Sequence, residues 1–131
     1  MGGRARDWLR QAGSDLDHAR HAFEDGDHDW ACFAAQQAAE KAANAAHQAL
    51  DQEAWGHSVT ELLEALRDRV ADIDELLMDR ARALDKLYVT TRYPNGLPAG
   101  APVDYFTAAE AERAMGDAEA IIVVCTRVLQ G

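Results

Sequence analysis

Residues 30–50 read WACFAAQQAAEKAANAAHQAL, the longest run of helix-forming residues in this 131-residue chain. Ten of the nineteen residues from Ala31 to Ala49 are alanine, which has the highest intrinsic helix propensity, and the run contains no Gly or Pro. Because these small side chains cover about half of the helix circumference, neighbouring helices can approach closely on two sides. The stretch therefore predicts a central, buried helix from Trp30 to Leu50.

The remaining side of this helix carries a polar strip that continues from Phe33. Polar groups beside an apolar surface need hydrogen-bond partners or a ligand. One interpretation is that they bond one another at i+3 and i+4 along a solvated edge. The other is that they line a binding site, and the sequence leaves both open. The strip consists of Gln37, Glu40, Lys41 and Asn44.

Apolar residues at helical spacing predict four more helices. Gly26 ends the first one only a few residues before the central helix, so these two helices should be antiparallel. Ser58 and Thr107 are each followed three residues later by Glu, a pattern typical of capping boxes at helix N-termini. The predicted ranges are about Arg4–Glu24, Val59–Arg69, Asp72–Tyr88 and Thr107–Leu129.

No segment alternates apolar and polar residues as a half-buried strand does, so the fold class is all-α. We expect an up-and-down four-helix bundle with an additional short helix. The fourth predicted helix should end near Thr91, because Tyr93 precedes Pro94 and the residue before proline disfavours the α conformation. Residues 93–106, which hold all three prolines, are predicted to form the only long loop.

A chain of 131 residues fits a single domain, residues 1–131 with a core of about 5–128, and can bury a core without disulfides or metal. We expect no cofactor and no metal site, since His18 and His21 share a helix face without a third ligand at a known spacing. Cys32 and Cys125 lie far apart on apolar stretches and are expected to be reduced and buried.

The sequence contains no apolar run of the roughly 20 residues that span a bilayer. Its first residues also lack the apolar segment of a secretory signal. We therefore expect a cytoplasmic protein that does not bind membranes.

The formal net charge of −10 disfavours broad, nonspecific binding to nucleic acids, because such binding depends on a positive surface. Contact with a nucleotide or RNA must then be local. One short stretch is rich in basic residues, and the alternative is that it forms a solvated helix face balanced by Asp79 and Asp85. The basic residues are Arg80, Arg82, Lys86 and Arg92.

Four stretches stand together in this order: ACFAAQQAAEKAANA at 31–45, GHSV at 56–59, LDKLYVTTRYP at 84–94 and DYFTAAEAERAMGDAEAI at 104–121. Their order and spacing resemble the HEPN domain, the nucleotide-binding domain shared by higher eukaryotes and prokaryotes. Each stretch alone is a weak signal, whereas their combination is specific. The resemblance covers about residues 5–128 and implies a helical bundle of four long helices and a short one.

The resemblance also implies a function. Stand-alone prokaryotic members resemble partners of a separately encoded minimal nucleotidyltransferase, in arrangements like those of toxin–antitoxin pairs, and homodimers are implied. Other members resemble ribonucleases that carry Arg, four to six residues and then His, in which Arg stabilises phosphate charge and His exchanges protons. Arg92 is followed by no histidine, because the last histidine of the chain is His57. Catalysis is therefore disfavoured, and a binding protein is the expected function.

The residue types predict five candidates for a nucleotide or phosphate site. Arg92 and Lys41 could pair with phosphate, Tyr88 and Tyr93 could stack on a base, and His57 could donate to an oxyanion. Each has a structural alternative, in which Tyr88 lies in the core, Arg92 bonds helix C-terminal carbonyls and His57 fixes its loop. A ligand-free homodimeric scaffold is a further alternative for the whole protein.

Overall fold

Four long helices form an up-and-down bundle in the computed structural model, which describes residues 3–52 and 58–131. Three short helices join or flank them, and the described residues contain no strand. The predicted all-α bundle is thus confirmed. The long helices are α1 Ala5–Glu24, α2 His28–Ala49, α4 Glu75–Asp85 and α7 Ala108–Gln130, and the short ones are α3 Val59–Glu64, α5 Leu87–Thr90 and α6 Pro102–Tyr105.

Short links and ion pairs fix the helix directions. Only residues 25–27 separate α1 from α2, and Gly26 takes a φ of 82° there, a left-handed conformation that glycine adopts without strain. The chain therefore reverses within one turn. Between α4 and α7, Arg80 pairs with Asp117 at 2.8 Å, and Asp72 near the start of α4 lies 3.4 Å from Arg127 near the end of α7. These two helices are therefore antiparallel as well.

The alanine-rich helix α2 is the most buried element, as its sequence predicts. Twelve of its 22 residues are buried, and α1, α4 and α7 all pack around it. From Ala31 to His47, the positions that are not buried form one line along the helix, which is the strip predicted from the sequence. These positions are Phe33, Gln37, Glu40, Lys41 and Asn44.

The six-residue helix α3 is tied at both ends by side chains from the long helices. At its start, the Asp85 carboxylate accepts hydrogen bonds from the backbone N–H groups of Val59 at 3.0 Å and Thr60 at 2.9 Å. In its last turn, buried His47 donates from Nε2 to the carbonyl of Leu62 at 2.7 Å. So short a helix leaves most of its backbone groups without internal partners, and these two side chains satisfy some of them.

Two predicted helices are shorter than expected. The helix predicted to reach Arg69 ends at Glu64, because the following turns bond at i+3 while Leu66 remains fully buried. The helix predicted over Asp72–Tyr88 starts after Asp74, whose side chain accepts a hydrogen bond from the N–H of Leu77 at 2.9 Å. It then breaks at Lys86, which separates α4 from α5.

Residues 93–106 contain more regular structure than the predicted long loop. Pro94 starts a 3-10 turn over Pro94–Gly96, and Pro102 starts α6. Proline suits the first position of a helical turn, since its φ is already helical and its missing N–H has no partner to lose there. Thr107 then begins α7 with the predicted capping box, bonded reciprocally with Glu110.

Both cysteines are buried, as predicted. Burial raises the pKa of each thiol to about 12, so both stay protonated at neutral pH. Within 3–52 and 58–131, no group of three or more His, Cys, Asp or Glu side chains is arranged to hold a metal ion. None of the helices in these ranges is long and apolar enough to cross a membrane.

Enlarging an alanine in the interior of α2 tests the close packing. Ala38 and Ala42 are fully buried, so Ala38→Leu or Ala42→Leu should destabilise the fold by about 1–3 kcal/mol through overpacking. Urea unfolding followed by circular dichroism measures this change. Ala109→Leu, on the exposed first turn of α7, is the control and should change stability by less than about 0.5 kcal/mol. Unchanged stability in both interior variants would contradict the packing.

The hydrogen bonds between Asp85 and the start of α3 give a second prediction. Asp85→Ala removes the acceptor of two backbone N–H groups and should cost about 1–2 kcal/mol of unfolding free energy, as other losses of helix caps do. Asp79→Ala, six residues earlier on α4, removes an exposed ion pair with Arg82 and should cost about 0.5 kcal/mol or less. Equal effects in a denaturant titration would show that the capping of α3 contributes little.

Candidate functional site

Three aromatic rings surround the guanidinium of Arg92 on the surface of the bundle. The Arg92 Cζ atom lies 4.9 Å from the ring centroid of Phe33, 5.4 Å from that of Tyr88 and 5.0 Å from that of Tyr93. We call these four residues the Arg92 cluster. Next to it, the Trp30 ring meets Phe33 edge to face at 6.1 Å and is 55 % exposed. The cluster thus joins α2 to the segment that follows α4.

Local sequence explains why Arg92 points outward. Thr91 is buried and its hydroxyl donates to the carbonyl of Leu87, which anchors the end of α5. Tyr93 is extended, with φ −127° and ψ 131°, as expected for a residue before proline. With Thr91 turned inward and Tyr93 extended, the intervening Arg92 side chain is exposed and lies between the Tyr93 ring and α2.

The cluster combines two kinds of recognition. Tyr88 and Tyr93 are 41 % and 48 % exposed, so parts of both rings remain open for stacking. The Arg92 guanidinium donates one hydrogen bond, to the Tyr93 hydroxyl at 2.9 Å, and forms no ion pair with any carboxylate in the described part of the chain. Its other N–H groups can therefore bind an anion, and its planar fork matches two oxygens of a phosphate.

The structure brings together three of the five residues predicted for the site, namely Tyr88, Arg92 and Tyr93. Lys41 instead forms an ion pair with Asp15 of α1, and it lies about 12 Å along the α2 axis from Phe33. His57, the fifth predicted residue, lies outside the residues that the structure describes.

Sequence reasoning did not assign Phe33 to the site. The available signal was its position at the start of the polar strip, on the one line of α2 that alanine does not cover. The structural alternative for Tyr88, a place in the core, is wrong: Tyr88 lies on α5, beyond the break at Lys86, and is half-exposed. The structural alternative for Arg92, bonding to helix carbonyls, is not what its side chain does.

The other basic residues of the same stretch have different surroundings. Arg80 pairs with Asp117 at 2.8 Å, although burial raises the pKa of that carboxyl. Arg82 pairs with Glu75 and Asp79, both at 2.8 Å, and its hydrogen bond lowers the pKa of Glu75. The prediction of a charge-balanced face thus applies to Arg82 and does not apply to Arg92.

No histidine of the described ranges contacts the Arg92 cluster. His47 is buried against Leu62, and His28 lies against the ring of Phe23 at 5.6 Å. His18 and His21 are exposed on α1. The described residues therefore offer stacking and anion binding at Arg92, and none of their four histidines lies beside it to exchange protons.

Comparison with known proteins places this chain in a family. Residues 5–128 match the HEPN domain. A crystal structure from Thermus thermophilus is 48 % identical, with a TM-score of 0.92 and coverage of 96 % of this chain and 98 % of that chain. Comparison with curated proteins gave no match.

Two further structures carry the family name. An HEPN domain protein from Thermotoga maritima is 42 % identical, and an archaeal HEPN homologue is 36 % identical. Each has a TM-score of 0.78, and each match covers 95 % of this chain and 98 % of the other chain. From the match over residues 5–128 and the agreement of the whole fold, we conclude that this chain belongs to the HEPN domain family.

Proposed function

We propose that this protein is a non-catalytic HEPN-domain binding module that holds a nucleotide at the Arg92 cluster and acts with a separately encoded minimal nucleotidyltransferase. The observation that carries the proposal is the Arg92 guanidinium held over three rings, two of them part-exposed, without a carboxylate partner among the described residues. An aromatic surface beside an available guanidinium suits a base and its phosphate.

The aromatic rings and Arg92 would bind different parts of the nucleotide. A base stacked on an aromatic side chain gains about 1–3 kcal/mol, and such stacking tolerates different bases. Arg92 supplies the charge for the phosphate, and the cluster contains no second cation. One cation in a chain of net charge −10 favours a single nucleotide or a short RNA end over a long RNA, whose binding depends on many phosphate contacts.

The exposed Trp30 supports a protein partner beside the same site. An indole that is 55 % exposed is a large aromatic surface open to solvent, and Trp is enriched where proteins meet. Trp30 contacts Phe33, so a partner bound there would lie next to the nucleotide. The proposal of a nucleotidyltransferase partner comes from the family resemblance, and co-purification with such an enzyme encoded beside this chain is its test.

The alternative of an RNA endonuclease is not favoured by any contact at the cluster. The sequence lacks histidine after Arg92, and none of the four described histidines contacts Arg92. General acid–base catalysis needs such a group within hydrogen-bond reach of the reacting atoms. The described surroundings of Arg92 therefore support binding, and they place no histidine where it could exchange protons with a substrate.

Removing Arg92 tests the nucleotide site. Arg92→Ala should abolish binding of ATP or of a short RNA oligonucleotide measured by calorimetry, because the guanidinium supplies the charge that binds the phosphate. Its unfolding free energy should change by about 1 kcal/mol or less, since exposed cation–π contacts are weak. Arg82→Ala removes the same charge from a paired position on α4 and should bind like the wild type.

Two results would contradict the proposal. If Arg92→Ala unfolds the protein, the residue has a structural role and the ligand argument fails. If the wild type binds neither ATP nor the oligonucleotide, the protein is better described as a ligand-free scaffold.

We also propose that the protein forms a homodimer, as the family resemblance implies. Leu76 on α4 and Val123 on α7 line one surface groove and are 62 % and 43 % exposed, which leaves apolar area for a second copy. Light scattering at micromolar concentration should report a dimer, and a Leu76→Glu and Val123→Glu double variant should be monomeric. A monomeric wild type would refute the dimer, and a dimeric double variant would refute this interface.

A further inference from the structure

A cleft separate from the Arg92 cluster lies between α5 and the first half of α7. We call it the α5–α7 cleft, and its volume is about 450 Å³. Leu87, Leu97 and Phe106 line it with apolar surface, and the half-exposed ring of Tyr105 borders it. No member of the Arg92 cluster lines this cleft. Its size falls in the range of clefts that bind small molecules.

The basic side chains that line the cleft lack hydrogen-bonded partners in the described part of the chain, whereas the acidic ones have them. Two cations, Lys86 and Arg113, line it, and neither side chain makes a hydrogen bond or an ion pair with any residue in 3–52 or 58–131. Most other basic side chains of the chain do have a carboxylate partner. The cleft therefore presents two available positive charges on a strongly acidic protein.

The two carboxylates that also line the cleft are already engaged. Glu110 accepts hydrogen bonds from the N–H and the hydroxyl of Thr107, both at 3.1 Å, in the capping box of α7. Asp117 pairs with Arg80 at 2.8 Å. Neither is hydrogen-bonded to the cations of the cleft, although the charge of Arg113 partly offsets the rise that burial causes in the pKa of Asp117. The charged side chains there that lack a hydrogen-bonded partner among the described residues are therefore the two cations.

We propose that the α5–α7 cleft binds a small organic phosphate monoester, with its hydrocarbon part on the apolar lining and its phosphate between Lys86 and Arg113. A phosphate monoester carries a charge of about −1.5 to −2 at neutral pH, which two cations can balance. Arg113 can bind two of its oxygens with its planar fork, and Lys86 adds a point charge. A carboxylate of the same size would use only half of this charge.

This site is independent of the proposed nucleotide site. The two share no residue, so a ligand could occupy one while the other stays empty. Loss of one site by mutation should leave the other intact, and the experiment below uses this separation.

Phenyl phosphate is the probe, and amide NMR shifts of the labelled protein are the measurement. Phenyl phosphate should shift the amides of Thr90, Leu97 and Ala114, which line the cleft. Inorganic phosphate lacks the ring and benzoate carries a single charge, so each should bind at least fivefold more weakly. If phenyl phosphate leaves these amides unmoved, the proposal is wrong; if benzoate binds equally well, the phosphate assignment is wrong.

Variants of the two cations locate the site. Lys86→Gln should weaken phenyl phosphate binding about tenfold, as expected for the loss of one charge-assisted hydrogen bond, and Arg113→Gln should weaken it at least as much because two such bonds are lost. Arg6→Gln, an exposed arginine of α1 that also lacks a carboxylate partner among the described residues, is the matched control and should bind like the wild type. If Arg6→Gln weakens binding equally, the loss of binding would follow from the change in net charge alone, and the proposal would be wrong.

Arg92→Ala separates this proposal from the nucleotide site. It should bind phenyl phosphate like the wild type, because Arg92 does not line the cleft. Loss of phenyl phosphate binding in Arg92→Ala would place the ligand on the Arg92 cluster and refute the α5–α7 cleft as the site. Loss of ATP binding alone in this variant would leave the cleft proposal supported.

Discussion

The close packing of α2 by its neighbours is the constraint on which the rest of the structure depends. Alanine side chains let helices approach on most sides of α2, and its residues from Ala31 to His47 are buried except along one line. A larger residue in place of a buried alanine would separate the helices, so between Ala31 and His47 the side chains of α2 that can meet a ligand lie on that line. Phe33 lies on it and supplies one ring of the Arg92 cluster, while Lys41 lies on it and pairs with α1.

The short helix α3 shows how polar residues complete a core made largely of small side chains. Asp85 and His47 come from two different long helices, and both bond backbone groups of α3. A buried backbone group without a partner is costly, so these bonds fix where α3 sits as well as stabilise it. Asp85 thus has a structural role, and its carboxylate is unavailable to balance Lys86 or Arg92.

Sequence reasoning succeeded where local preference and packing agree. The alanine run predicts α2 because propensity and burial both favour helix there, and Thr107 with Glu110 predicts the start of α7 because that signal is local. The break at Lys86 could not be predicted, since no residue there disfavours helix. Phe33 was missed for a related reason: beside alanines, a phenylalanine at helical spacing is typical of core, and its contacts come from residues about sixty positions later.

The small size of α5 links ligand binding at the Arg92 cluster to local unfolding. This helix is four residues long and has no fully buried residue, so few contacts hold it apart from the part-buried Leu87, the anchor at Thr91 and the stacking of Tyr88 and Arg92 on Phe33. Segments with so little buried surface open at low free energy. Tyr88 and Arg92, which are proposed to bind the nucleotide, therefore also order the outer side of this segment, while Leu87 and Thr91 hold its inner side without them. Occupancy of the site and local order of the segment are thermodynamically linked, and each favours the other.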